Sequence, residues 1–394
     1  MTAAPRSQYR WTILAAGCVA QTGFAAFVVG LPVLAPALQD EYDVTLEQIG
    51  AFLTLVSLGI LVTVLAWGLA ADRFGERAVL LAGLGTCGCA LLVAAWVSWY
   101  PALVAVVTCA AGLGVAVNSA SGSVVMRWFP MHELGFALGI RQTSITIGGV
   151  LAAFVLPSVV HAGGLRGAFL TLGGFCLAGA VGAAAVIGRG RARGGEHAAS
   201  PAHRERPRLR DAGLLRLSLS SCLYVVPQAA VMGFVVLFLT EERGMSTGIA
   251  AAVLGCAYFA ATVGRIGAGR WSDSLGRRVT PLRWFGLSTS LGLAIVALAA
   301  LVDMPTAVLV PLVIVASASS MAWNGLSLTA AAELGGRHRS GAAIGVQQTF
   351  LGIGATATPI VFAMAVAATS WGVAFGLVAV SSLGGWWLLR PLAD

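Results

Sequence analysis

Arg141 and Arg265 lie inside apolar stretches long enough to cross a bilayer, in a chain whose 16 Asp and Glu residues all fall outside such stretches. A cation at membrane depth is costly and marks a functional group by default. Its guanidinium is a fixed fork of donors that matches an oxyanion bidentately. With no acid in the spans to pair with it, the chemistry on offer is reversible binding of an anion. Each arginine lies eight residues from a flanking acid, Glu133 or Asp273. That is about 12 Å of helix, against about 15 Å for half the hydrocarbon core. Polar residues fall at matching depth. Asn118 is nine residues from Arg127, about 14 Å. Gln21 precedes Phe24 by three residues, Tyr224 and Gln228 are one turn apart, and Tyr258 is two turns before Arg265. With Gln347 and Asn324 these complete the candidate substrate-binding set.

Twelve apolar runs are available to position these residues: 11–38, 48–71, 79–98, 102–126, 135–160, 167–188, 214–240, 248–271, 282–302, 306–331, 341–368 and 371–390. About 20 apolar residues span a membrane. The chain has 394 residues, is 58% hydrophobic and only 10% charged, where soluble domains carry about 25%. The expected fold is therefore an all-α membrane protein of 12 transmembrane helices in two six-helix bundles, residues 1–188 and 213–394. A polar, arginine-rich segment, 189–212, is the expected cytoplasmic linker. Only Arg166 and Arg243 fall in the odd-numbered loops, so the positive-inside rule places both termini in the cytoplasm. The first run is too long for a signal peptide. The expected location is integral in the membrane, with the lipid bilayer as partner.

The halves repeat. Gly68-Leu-Ala-Ala-Asp72-Arg73-Phe-Gly75-Glu-Arg77 recurs as Gly269-Arg-Trp-Ser-Asp273-Ser-Leu-Gly276-Arg-Arg278. Gly135-Phe-Ala-Leu-Gly139-Ile-Arg141-Gln142-Thr143 recurs as Gly341-Ala-Ala-Ile-Gly345-Val-Gln347-Gln348-Thr349, and Asn118 matches Asn324. The repeat does not account for the two cations: Arg141 corresponds to Gln347, and Arg265 to Val64. Glycines of the loop permit a tight turn. Asp72 and Asp273 are expected to cap a neighbouring helix N-terminus. The small-xxx-small pairs Gly135/Gly139 and Gly341/Gly345 are expected to bring helices close. Pro32, Pro36, Pro157, Pro227, Pro311 and Pro359 are expected to bend or break their spans.

Six plus six spans, a polar linker and a duplicated Gly-x-x-x-Asp loop resemble the major facilitator superfamily over essentially the whole chain. The resemblance implies alternating access between two pseudo-symmetric bundles. It implies a gating role for Gly68, Asp72, Arg73, Gly75, Arg77, Gly269, Asp273, Gly276 and Arg278, with Asp72 holding an outward-open state. An arginine on the eighth span, and the segment running on from Arg127, are similar to oxalate/formate, monocarboxylate and nitrate/nitrite members.

Other classes are excluded by what the sequence lacks. All 24 basic residues are arginine, so no Walker A lysine or Schiff-base lysine exists. No HExxH, Gly-x-Ser-x-Gly or Cys/His cluster appears, and no enzyme activity, cofactor or metal is expected. The net charge of +8 is spread over loops rather than gathered in one basic domain, which argues against nucleic acid. All five histidines lie in loops or the linker, leaving no intramembrane acid or histidine for a proton relay. The sequence thus predicts a monomeric secondary or facilitative transporter of a small organic anion in a bacterial inner membrane. The alternative is a multidrug or metabolite efflux carrier.

Overall fold

The computed structural model describes residues 4–129, 131–192, 212–302 and 304–392, and these are helical apart from short connections. Eleven helices among them are long and apolar enough to cross a membrane. One of these, residues 139–189, would be about 76 Å long at 1.5 Å per residue, more than twice a hydrocarbon core of about 30 Å. It breaks at Gly164, whose φ of 61° and ψ of −163° suit glycine alone. It therefore supplies two crossings, giving the expected twelve.

The chain forms two compact units, residues 1–42 with 55–202 and residues 43–54 with 203–394. The expected linker, 189–212, falls mostly outside the described residues. The first unit takes in one stretch fewer than the expected half. Residues 43–54 belong with the second, where Ile360 N donates to Thr54 Oγ1 at 3.0 Å and a Cβ on Gly50 would meet Pro359 O at 2.8 Å.

In unit 1 the first span is α1 (Ala4–Gly30), a 3₁₀ turn at Leu31–Leu34 containing Pro32, and α2 (Ala35–Tyr42). The second is α3 (Leu46–Phe74), of which residues 55–74 belong to this unit. The third is α4 (Glu76–Val79), a π turn at Leu80–Gly85, and α5 (Thr86–Ala94). The fourth is split into α6 (Tyr100–Gly114) and α7 (Ala116–Trp128), and α8 (Met131–Ala192) carries the fifth and sixth. In unit 2, α9 (Ala212–Leu237), α10 (Thr247–Leu275) and α11 (Val279–Leu301) are followed by α12 (Thr306–Ala322). Helix α13 (Asn324–Ala368) then runs through the loop expected between the tenth and eleventh spans, and α14 (Trp371–Leu388) is the last.

Of the expected proline breaks, one is present at Pro32, in the 3₁₀ turn that divides the first span. Helical backbone continues through Pro157, Pro227, Pro311 and Pro359. The breaks in the fourth and tenth spans fall instead at Val115 and Trp323, where side chains compete for the helix's own carbonyls. Thr63 Oγ1 and Trp67 Nε1 each donate to Gly112 O at 2.8 Å. In unit 2, Arg265 Nε donates to Met321 O at 2.9 Å and Trp323 Nε1 to Ser320 O at 2.8 Å.

The close-packing glycines also lie elsewhere. Nothing sits within 4 Å of a Cβ built on Gly139 or Gly345, because both look away from neighbouring helices. Gly135 and Gly341 lie outside the residues whose side chains are described. The tight crossings are made by Gly148 against Ala26 N (2.7 Å) and Thr22 O (2.8 Å) of α1, and by Gly354 against Cys222 O (2.7 Å) of α9. These two glycines are equivalent in the repeat, and each lets its backbone approach the first helix of its own unit.

Candidate functional site

Val115 and Trp323 interrupt the fourth and tenth spans just before Asn118 and Asn324. Both residues keep right-handed helical dihedrals, so each break is a local loosening of the helix hydrogen bonds just before an asparagine. Phe24 closes one side of the first: a Cβ on Gly114 would come 2.5 Å from its ring.

In unit 1 the break brings Gln21, Asn118, Ser121 and Arg141 together. Arg141 Nε donates to Ser121 Oγ at 2.8 Å. Its Nη2 donates to the Asn118 carbonyl at 2.8 Å and to Gln21 Oε1 at 3.3 Å. Gln21 Nε2 in turn donates to Asn118 Oδ1 at 2.5 Å, and Ser121 Oγ donates to Val117 O at 2.5 Å. Gln21 and Ser121 are buried, and Arg141 is partly exposed. The arginine therefore does not stand bare, which corrects the simplest reading of an acid-free membrane interior. A hydrogen bond to a charged group contributes about 1.5–3 kcal/mol, and a cation at a helix centre costs about 2.5–3.5 kcal/mol on the insertion scale. Three such bonds hold the charge without any carboxylate. Among the described residues, Arg141 forms no ion pair, and its Nη1 makes no hydrogen bond.

Unit 2 repeats the arrangement without the charge. Gln347 Nε2 donates to Ser327 Oγ at 2.7 Å, as Arg141 does to Ser121, and also to Ser221 Oγ at 3.3 Å. Asn324 Nδ2 donates to Gln228 Oε1 at 2.9 Å. The serines were missed by sequence reasoning. Their signal is an Asn-x-x-Ser spacing shared by Asn118/Ser121 and Asn324/Ser327.

The remaining candidates separate. Arg265 Nε donates to the Met321 carbonyl at the helix break. Tyr258, two turns earlier on α10, is fully buried, and its hydroxyl has no hydrogen-bond partner among the described residues. Tyr224 leaves Gln228 for the helix packing of its unit. A Cβ on Gly385 would come 2.6 Å from its ring, Gly286 makes room for its hydroxyl, and Trp323 meets it edge-on at 5.5 Å.

The loop motifs turn as their glycines predict, with φ of 80° at Gly75 and 61° at Gly276. A Cβ on Gly68 would come 4.0 Å from Ser119 Oγ, and one on Gly269 would meet nothing within 4 Å among the described residues. Arg73 stacks on Phe74, with Cζ 5.3 Å from the ring centroid. Arg77 lies along α8, where a Cβ on Gly188 would come 3.1 Å from its guanidinium. Asp72 lies outside the residues whose side chains are described. Asp273 does not cap a neighbouring helix as expected. Its partner is Arg278 at 2.5 Å, and Arg278 also reaches Glu333 Oε1 of α13 at 3.0 Å and Ser272 Oγ at 2.9 Å. Burial works to lower the Arg278 pKa, but the bonds to Asp273 and Glu333 outweigh it and raise the pKa above its ordinary value. Five donors in one fork satisfy both acids where a helix terminus would serve one.

Comparison with known proteins fits this picture. Residues 13–359 match the family model described as Major Facilitator Superfamily. An uncharacterised MFS-type transporter of Mycobacterium tuberculosis is 30% identical over 387 residues, covering 95% of this chain and 83% of that protein. A protein of Cupriavidus necator, described as a probable sulfoacetate transporter, is 29% identical over 175 residues, 44% of this chain and 40% of its own. The crystal structure of a D-xylose-proton symporter superposes with a TM-score of 0.77 at 14% identity, covering 98% of both chains; at that identity it shows the fold alone. The chain belongs to the major facilitator superfamily. It is an integral membrane transporter of small molecules and not an enzyme.

Proposed function

We propose that this transporter carries a small organic anion by alternating access, with Arg141 as the group that receives the negative charge. One observation carries the reading: a guanidinium inside a membrane-spanning bundle whose bonds to described residues go only to neutral oxygens, with Nη1 left over. The sulfoacetate relative supports the same direction, because its named solute is an organic anion. The neutral twin at Gln347 supports it too. A duplicated scaffold can hold this position without charge, so the charge serves something other than folding.

Arg265 enters the proposal as a second positive charge in unit 2, subordinate to its bond at the helix break. The distribution of arginines over loops supports an inner bacterial membrane with both termini cytoplasmic, and the protein acts as a monomer. With no histidine and no acid inside the apolar runs of the sequence, coupling runs through exchange, through uniport, or through a proton carried by the anion itself.

The test is counterflow into proteoliposomes with labelled acetate, oxalate, sulfoacetate and phosphate, beside a neutral sugar and a cationic dye. Accumulation of at least one anion, abolished by Arg141→Gln, is the expected result. Movement of only the sugar or the dye would make the protein a carrier of another kind.

A further inference from the structure

The amide pairs of the two units point in opposite directions. In unit 1 Gln21 donates its nitrogen to Asn118 and turns its oxygen to Arg141. In unit 2 Asn324 donates to the oxygen of Gln228. The cause lies at the one position where the repeats differ in charge. Arg141 has donors only and demands acceptors, whereas Gln347 hands its two donors to serines. The cation thus orients the amides around it. Every acceptor of the unit 1 cluster is then consumed by a donor within it. What remains is donors: Arg141 Nη1 and Asn118 Nδ2, neither bonded to a described residue. In unit 2 the leftover is of the other kind, the buried amide oxygen of Gln347.

We propose that Gln21 is the placeholder of an oxyanion site formed by Arg141 Nη1 and Nη2 with Asn118 Nδ2. Its amide oxygen occupies, at Nη2, the position that an oxygen of the passenger takes. This rests on the anion reading and narrows it. Of the three bonds that hold the guanidinium, the one to Gln21 is the longest, 3.3 Å against 2.8 Å for the other two, so it yields first. Among the described residues Gln21 Oε1 is otherwise held only by Ser121 Oγ at 3.5 Å, and its release leaves an Nη2 hydrogen and the unbonded Nη1 as donors to the oxygens of a carboxylate or sulfonate. Nε stays on Ser121 and the second Nη2 hydrogen stays on the Asn118 carbonyl, so the fork keeps its orientation while the passenger is held. A halide has no second oxygen for the second donor, and the site selects oxyanions over spherical ions of equal charge.

Gln21→Glu builds the passenger's carboxylate into the chain. Thermal melting of the purified protein and uptake by proteoliposomes are measured with sulfoacetate, acetate and chloride. In the wild type the two oxyanions raise the melting temperature and chloride does not. In Gln21→Glu the melting temperature is already raised, the oxyanion-induced rise is gone, and KM for uptake increases roughly tenfold or more, as loss of a charged hydrogen bond implies. Adding Arg141→Gln to Gln21→Glu cancels the intrinsic rise, because the two effects are coupled through one contact. Gln21→Met removes the competitor at similar volume and lowers KM severalfold with the maximal rate kept. A Gln21→Met variant that binds anions as poorly as Arg141→Gln, or a Gln21→Glu variant with no gain in melting temperature, overturns the placeholder role while leaving the anion reading intact. If no anion shifts or crosses with the wild type, it is the anion reading that falls. The Gln21→Glu rise and its cancellation then still decide the contact by themselves.

Discussion

Replacing Arg141 by Gln removes the proposed anion ligand, and the molecule already contains the outcome. Gln347 occupies the equivalent position in unit 2 and donates to Ser327 at 2.7 Å, as Arg141 does to Ser121 at 2.8 Å. A glutamine at 141 therefore keeps the serine bond. It loses the bonds to Asn118 O and Gln21, each worth about 1.5–3 kcal/mol, and is relieved of about 2.5–3.5 kcal/mol for holding a charge at membrane depth. The net stability change lies between about 0.5 kcal/mol of gain and about 3.5 kcal/mol of loss, so the variant is expected to fold. Transport responds differently. Without the Nη1 contact an anion loses about 1.5–3 kcal/mol, roughly 10- to 150-fold in affinity. Thermal melting in detergent and uptake into proteoliposomes separate the two effects. Arg141→Lys keeps the charge but not the fork, and should fall between wild type and Arg141→Gln in affinity. An Arg141→Gln protein that takes up anions at wild-type rate would refute the assignment. So would one that unfolds while Arg141→Lys is stable and silent in transport, because the cation would then serve the fold alone.

Gly148→Ala and Gly354→Ala each push a methyl group against backbone of the partner helix, and should lower stability by about 1–3 kcal/mol. Gly139→Ala meets nothing and should match wild type in the same melting assay. Ser327→Ala leaves the Gln347 amide short of an acceptor and should cost about 1–3 kcal/mol, read as a lower melting temperature. Arg278→Gln removes contacts to two largely exposed carboxylates and should cost no more than about 1 kcal/mol per pair. The folded-state pKa of Arg278 is raised above its ordinary value, so its contribution is complete at neutral pH and is lost only in strong alkali. The difference in melting temperature between wild type and Arg278→Gln should be flat from about pH 6 to pH 9 and shrink with added salt. Tyr224→Phe removes a hydroxyl that fits between helices without a bond, and should leave uptake unchanged.

Much of the architecture is written at periods a single chain displays. Apolar runs of about 20 residues gave the crossings, and the Gly-x-x-x-Asp loops gave the duplication. The depth of Arg141 followed from helical rise alone, and its pairing with Asn118 and Gln21 followed from depth. What stayed hidden depends on partners distant in sequence. The breaks at Val115 and Trp323 carry no proline signal. They arise from Thr63 and Trp67 on one helix, and from Arg265 on another, reaching carbonyls of a third. Arg265 therefore looked like a twin of Arg141, although its bond serves backbone. Tyr224 lies one helical turn from Gln228, and the packing of its ring against Trp323 could not be read from that spacing. Gly148 and Gly354 escaped notice because only the neighbouring helix says which glycine is touched.

Residue 347 preserves the condition of residue 141 before, or after, a charge was placed there. Arginine and glutamine codons differ by as little as one nucleotide, and the serine and the amide pair are present on both sides. Changing which solutes such a carrier accepts then demands no rebuilding of a binding pocket. One substitution turns two amides around, and the polarity of everything they face is reversed with them.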